Sequence, residues 1–228
     1  MWHRSVSDLM TAPAVSVRAD APFKEIAKLL AEHDVTALPV VDDGSRPVGV
    51  VSEADLLRKE AGQRDPADLM PPPYASSADR AKAEAVSAVE LMTSPAVTAR
   101  PEWTVVEAAR TMEQHRVKRL PVVDEVGCLV GVLSRSDLLR VFLRQDRAIR
   151  DEITSEVLGR TLRLSPLAVT VHVVDGRVSL EGTIERRSVV PVLVALCNGV
   201  DGVVDVREHL RYRADDSSSP APAHHQPA

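Results

Sequence analysis

Two short segments carry a glycine, a serine and an aspartate at the same spacing. The later segment contains Gly131, Ser134, Ser136 and Asp137, and the apolar residues around it predict a strand that leads into a helix. A carboxylate at this place can accept hydrogen bonds from both hydroxyls of a ribose, at about 1.5–3 kcal/mol for each charge-assisted bond. The glycine permits close backbone approach, the serines can donate toward phosphate, and the free N–H groups of a helix start favour anionic oxygen.

The earlier segment runs from Gly49 through Ser52 to Asp55 and has Ala54 where the later one has Ser136. Both segments also have the form of a capping box, in which the serine and the acidic residue satisfy the first N–H groups of a helix. Ordinary helix capping is therefore an alternative to ligand binding at each aspartate.

The two segments belong to an internal duplication with an offset of 82 residues. Without a gap, 24 of the 50 positions in 9–58 are identical to their counterparts in 91–140. Two copies of this size predict two similar units packed on each other, and not a long solenoid. In each copy the pattern predicts the order strand, helix, strand, strand, helix. The second of these strands is Leu38–Val41 in the first copy and Leu120–Val123 in the second.

The stretches VTALPVVDDGSRPVGVVSEADLL and VKRLPVVDEVGCLVGVLSRSDLL resemble the second half of the CBS domain, in tandem. The resemblance implies a pseudo-twofold pair with two clefts between the repeats, and a flat homodimer of such pairs. It also implies an adenine nucleotide (AMP, ADP or ATP) or a related adenosyl compound as ligand, held through the ribose by the aspartate.

The resemblance further implies that a basic pair before the Leu-Pro strand grips phosphates, and Lys118 and Arg119 stand there. The alternative is two solvated surface charges. The first copy has Thr36 and Ala37 instead, so the clefts are not equivalent. We expect the Asp137 cleft to contain Ser134, Ser136, Lys118 and Arg119, with Thr36 and Ala37 across the seam. We expect the Asp55 cleft, with Ser52, to be empty, to bind its ligand weakly or to be occupied by a different ligand. The candidate set is completed by Ser16 and Thr98, at matching positions of the copies.

The segment after residue 145 changes in character. Ile149, Ile153 and Val157 have helical spacing, Val169–Val173 alternates like a half-buried strand, and Asp175-Gly176 is a hairpin signal. VHVVDGRVSLEGTIERRS followed by GVDGVVDVREHLRY resembles the BON domain, which implies a small α-β-β-α-β unit. The resemblance also implies association with phospholipid. Ten arginines against nine acidic residues in 147–213 give weak electrostatic support for that, so we favour a protein-interaction role.

Together these patterns predict an α/β (α+β) chain. The predicted units are the first CBS repeat (7–62), a linker (63–88), the second repeat (89–145), a BON-like domain (146–213) and a disordered tail (214–228). The net charge of −5 argues against nucleic-acid binding, and two distant cysteines with no apparent secretory signal favour the cytoplasm. No P-loop, hydrolase triad or metal cluster is found, so we expect a non-enzymatic sensor without metal. An adaptor with empty clefts and membrane association through the BON-like domain remain the alternatives.

Overall fold

The computed structural model describes residues 4–61, 82, 84–165 and 167–216, which divide into two compact units. One unit is Ser5–Leu138, and the other contains the chain from Leu139 onward together with Arg4. The predicted α/β fold class is confirmed by the helices and mixed sheets of both units. Most of the predicted linker and tail lie outside the described residues.

The first copy follows the predicted element order. Its elements are β1 (Val17–Arg18), α1 (Phe23–Glu32), β2 (Ala37–Val41), β3 (Pro47–Ser52) and α2 (Glu53–Ala61). β2 is central in the sheet, parallel to β1 and antiparallel to β3. Every residue of β2 is buried, which explains its unbroken apolar sequence.

The second copy differs from the first at both of its ends. After α3 (Ala88–Leu91) come α4 (Val105–Gln114), β4 (Arg119–Val123), β5 (Leu129–Ser134) and α5 (Arg135–Leu139). The strand expected near Val97 is reduced to a single parallel bridge between Ala99 and Val122. A 3-10 turn, Arg140–Leu143, replaces the continuation of the last helix.

The N-terminal segment of each copy packs on the other copy. In the core of the first copy, Ala85, Ala88 and Leu91 are buried together with Ile26 and Leu38. Backbone hydrogen bonds fix this exchange at equivalent positions of the two sheets. Val50 and Thr93 bond each other in both directions at 3.0 and 2.9 Å, and Val132 and Thr11 do so at 3.0 and 2.9 Å. Neither sheet is complete without residues from the other repeat.

The C-terminal unit has the predicted helix, strand, strand, helix, strand order. Its elements are α6 (Asp146–Glu152), a π-helical continuation (Ile153–Thr161), β6 (Val169–Val174), β7 (Arg177–Arg186), α7 (Val189–Asn198) and β8 (Asp205–Ala214). β7 is central, antiparallel to β6 and parallel to β8. The predicted hairpin turn is present, since Asp175 and Gly176 both have positive φ angles, at 51° and 71°.

The core of this unit is aliphatic. The helices cover one face of the sheet and bury Ile149, Ile153, Leu158, Leu180 and Leu193. Within the described residues, no helix is long and apolar enough to cross a bilayer.

Candidate functional site

The two aspartates singled out by the sequence lie at equivalent strand–helix junctions. At the end of β3, the Ser52 backbone N–H and hydroxyl donate to Asp55 Oδ2 over 3.0 and 2.7 Å. At the end of β5, the Ser134 N–H and hydroxyl donate to Asp137 Oδ2 over 2.9 and 2.6 Å. Asp55 is 4% exposed and Asp137 7% exposed. The serines therefore orient two buried carboxylates through the hydrogen bonds of a capping arrangement. Each carboxylate also borders a cavity.

The cavity beside Asp137 has a volume of about 340 Å³. Both repeats contribute to it, because Val35, Thr36 and Leu38 come from the first copy and Ser136 and Asp137 from the second. Its remaining lining residues are Thr11, Ala14, Val15, Asp34, Ala37, Arg119, Val132 and Ser134. The wall thus combines aliphatic side chains with hydroxyl, carboxylate and guanidinium groups. Ligand sites of roughly 300–1,000 Å³ have this character.

The cavity beside Asp55 is smaller, at about 260 Å³, and more basic. Arg116, Lys118 and Arg119 come from the second copy, and Ser52 and Asp55 come from the first. Its other lining residues are Ala37, Val50, Thr93, Pro95, Ala96, Val97 and Val117.

Arg119 borders both cavities. It is the first residue of β4, and its guanidinium donates a hydrogen bond to the Thr36 hydroxyl across the repeat boundary. Burial lowers the pKa of Arg119 from its ordinary value, while the negative charges of Glu53 and Asp137 oppose this effect. An arginine remains protonated at neutral pH under such a shift, so Arg119 is a fixed cation between the two cavities.

Asp55 is ion-paired as well as capped. Arg58 Nη1 and Lys82 Nζ each lie 2.7 Å from Asp55 Oδ1. Lys82 also donates to the Thr93 hydroxyl over 3.2 Å. Burial alone would raise the pKa of Asp55, but hydrogen bonds from Lys82 and Ser52 together with the charge of Lys82 lower it overall. The carboxylate is therefore held in its ionised form.

The structure brings most of the predicted site residues to the two cavities. The Asp137 cavity is lined by Ser134, Ser136, Asp137, Arg119, Thr36 and Ala37. The Asp55 cavity contains Ser52 and Asp55, and Ala37 and Arg119 border it too.

Three of the predicted residues lie elsewhere than expected. Lys118 borders the Asp55 cavity and not the Asp137 cavity. Ser16 and Thr98 border neither cavity, although their chain neighbours Val15 and Val97 do.

Other lining residues were not predicted from the sequence. Thr11 and Thr93 each end the tripeptide Leu-Met-Thr, which occurs in both copies. The identity of the two copies at this position is a feature of the sequence that could have indicated them. Asp34 and Arg116 also occupy matching positions, with φ angles of 50° and 54°. Their opposite charges were visible in the sequence, but their place beside the cavities was not. Among the described residues, no group of three or more histidines, cysteines and acidic residues could hold a metal ion.

Known proteins similar to this chain include the CBS domain-containing protein YhcV of Bacillus subtilis. It is 30% identical over 135 residues, which are 59% of this chain and 82% of YhcV. The chloroplastic CBS domain-containing protein CBSX2 of Arabidopsis thaliana is 32% identical over 156 residues, which are 63% of this chain and 65% of that protein. A homoserine O-acetyltransferase of Methanococcoides burtonii is 32% identical over 142 residues, 62% of this chain. That match spans only 25% of the length of the enzyme.

A solved structure agrees with the sequence comparison. The crystal structure of CBSX2 in complex with AMP superposes with a TM-score of 0.52 and 30% identity, over 61% of this chain and 97% of that one. The CBS domain model matches residues 6–62 and 86–144, and the BON domain model matches residues 145–214. The chain therefore belongs to the CBS-domain proteins, with two CBS repeats followed by a BON domain.

Proposed function

We propose that this protein is a regulatory sensor that binds an adenine nucleotide, or a related adenosyl compound, in the cavities of its CBS pair. The observation that carries the proposal is the buried, serine-oriented carboxylate of Asp137, which borders a cavity lined by both polar and aliphatic side chains. Such a cavity offers acceptors to a ribose and apolar walls to a base. The complex of CBSX2 with AMP supports this choice of ligand.

In this proposal the ribose hydroxyls donate to the Asp137 carboxylate. Val35, Leu38 and Val132 supply apolar surface for the base, and Arg119 adds positive charge at the boundary with the second cavity. Because the cavity is lined by both repeats, a bound ligand connects them. Occupancy favours whichever arrangement of the repeats holds the ligand more tightly, and this differential affinity is the source of a regulatory signal.

The proposal also includes how the signal is transmitted. We propose a homodimer in the cytoplasm with no enzymatic activity of its own, whose BON domain contacts a protein partner. A phospholipid surface is the other candidate partner of that domain. The net charge of +1 over residues 147–213 supports the protein partner, because a lipid surface attracts basic segments.

Binding is tested first on the wild-type protein. Thermal unfolding is recorded with adenosine, AMP, ADP and ATP, and GMP serves as the control for the base. A ligand that binds only the folded state raises the midpoint in a concentration-dependent manner. If none of the adenine compounds raises it, the protein is an adaptor with empty cavities and the sensor proposal is wrong.

The role of Asp137 is tested with adenosine, because that ligand carries the ribose without phosphate. We expect Asp137→Ala to weaken adenosine binding about ten- to hundredfold in calorimetry, which corresponds to about 1.4–2.8 kcal/mol. Glu113→Gln is the matched control, since it removes an exposed carboxylate that borders neither cavity. Equal affinities of Asp137→Ala and the wild type would remove Asp137 from the site.

A further inference from the structure

The two cavities differ in charge at positions related by the repeat. Among its described lining residues, the Asp137 cavity has one arginine against two aspartates, Asp34 and Asp137, and so a formal charge of −1. The described lining of the Asp55 cavity has three cations, Arg116, Lys118 and the shared Arg119, against one aspartate, a formal charge of +2.

The charge of Asp55 does little to offset these cations. Its carboxylate is already paired with Arg58 and Lys82 at 2.7 Å. The ammonium of Lys82 also reaches the hydroxyl of Thr93, which lines the same cavity. Arg58 and Lys82 thus place two positive charges beside Asp55 in addition to the lining cations, while Glu53 places one negative charge near Arg119.

Phosphate groups carry the negative charge of a nucleotide, and cations that converge on a cleft raise the local concentration of anions. We infer that the two cavities divide adenosine compounds by charge. The Asp55 cavity takes the polyphosphorylated ligands, with Arg116 and Lys118 on the phosphates, and the Asp137 cavity takes adenosine compounds without phosphate. The inference rests on the proposed function and reverses the sequence-based expectation that the Asp137 side is the nucleotide site.

Arg119 cannot make this distinction, because it borders both cavities. The distinction depends on cavity residues that differ between the two copies of the repeat. Asp34 in the first copy corresponds to Arg116 in the second, and Thr36 corresponds to Lys118. Asp34 and Arg116 share the left-handed backbone conformation, so substitutions there must suit it.

The experiment compares ATP with adenosine in calorimetry on the full chain. The double variant Arg116→Asn and Lys118→Gln removes both cations, and asparagine tolerates the left-handed conformation. We expect its affinity for ATP to fall at least tenfold while its affinity for adenosine changes less than twofold. The dependence of ATP affinity on salt concentration should also become shallower, since screening acts on the charges removed.

The matched control is Arg110→Gln, which removes an exposed cation that borders neither cavity. It should leave ATP affinity within twofold of the wild type. The inference is overturned if the double variant binds ATP like the wild type, or if Asp137→Ala weakens ATP binding as much as the double variant does. Failure of the proposed function looks different, because then neither adenosine nor ATP binds the wild-type protein.

Discussion

Gly49 lies where the exchanged segment crosses the first sheet, and replacing it should destabilise the CBS unit. A Cβ atom at Gly49 would lie 2.4 Å from Met92 Sδ, 2.8 Å from Met92 Cγ and 3.0 Å from the carbonyl oxygen of Thr93. The methionine side chain can rotate away. The carbonyl cannot, because Thr93 is bonded in both directions to Val50.

We expect Gly49→Ala to lower the free energy of unfolding by about 1–3 kcal/mol, the usual cost of overpacking a close-packed site. For a chain of this size that corresponds to a fall of about 2–12 °C in the unfolding midpoint. Thermal and urea unfolding, followed by circular dichroism, measure both quantities. Gly131→Ala should cost less, because its Cβ would lie slightly farther from the equivalent atoms, 2.6 Å from Met10 Sδ and 3.1 Å from the Thr11 oxygen.

A double-mutant cycle separates the clash from other effects of the alanine. Met92→Ala removes the two shortest contacts and leaves only the one to the Thr93 oxygen. Gly49→Ala should therefore cost at least 0.5 kcal/mol less in the Met92→Ala background than in the wild type, the lower range of coupling for residues in contact. Equal costs in both backgrounds, or a Gly49→Ala protein as stable as the wild type, would refute the packing of Met92 on β3.

Three further outcomes follow from buried groups in the two units. Because hydrogen bonds and the lysine lower the pKa of Asp55, its charge contributes stability above the ordinary value of 3.8 and loses it as the pH falls through the lower folded value. The stability gap between wild type and Asp55→Asn should thus be full at neutral pH and shrink below about pH 4; a gap independent of pH would argue against the ion pairs. Burial raises the pKa of Cys197 to about 12, so an alkylating reagent at pH 8 should modify only the half-buried Cys128 in the native protein. In urea both thiols should be modified, and mass spectrometry distinguishes the two results. Gly182→Ala should unfold the BON domain, because φ is 146° at this residue and the new Cβ would lie 2.1 Å from the carbonyl oxygen just before β6. Hydrogen exchange measures this, and native-like protection of the domain would contradict the prediction.

The element order was predictable because the same pattern of apolar and turn residues occurs in both copies. The recurring apolar runs Leu38–Val41 and Leu120–Val123 form buried strands. Asp175-Gly176 specified the β6–β7 hairpin through its positive φ angles. Serine and aspartate three residues apart also specified their mutual hydrogen bonds. These features depend on residues close in the chain, and local sequence determines them.

The exchange of the N-terminal segments was not predictable from the same patterns. The repeat assigns Leu9–Thr11 to the first copy and residues 91–93 to the second, but Thr11 pairs with Val132 and Thr93 with Val50. Periodicity reports which residues are buried and not which sheet buries them.

The cavity that Lys118 borders was not predictable from these patterns either. The assignment of a side chain to one of two clefts depends on how the repeats cross. Lys118 and Arg119 both border the Asp55 cavity, but only Arg119 also reaches the Asp137 cavity, and adjacency in the chain does not indicate this difference.

The crossed segments also bear on how such a chain assembles and how it could have arisen. Contacts between residues 5–11 and the second copy join parts of the chain more than 90 residues apart, so the native packing forms slowly relative to local helices. In a polypeptide with one repeat, the sheet would lack this pairing and the N-terminal segment could pair with the sheet of another molecule. Two such molecules would satisfy each other by domain swapping, and fusion of their genes would turn that intermolecular pairing into the single-chain pair.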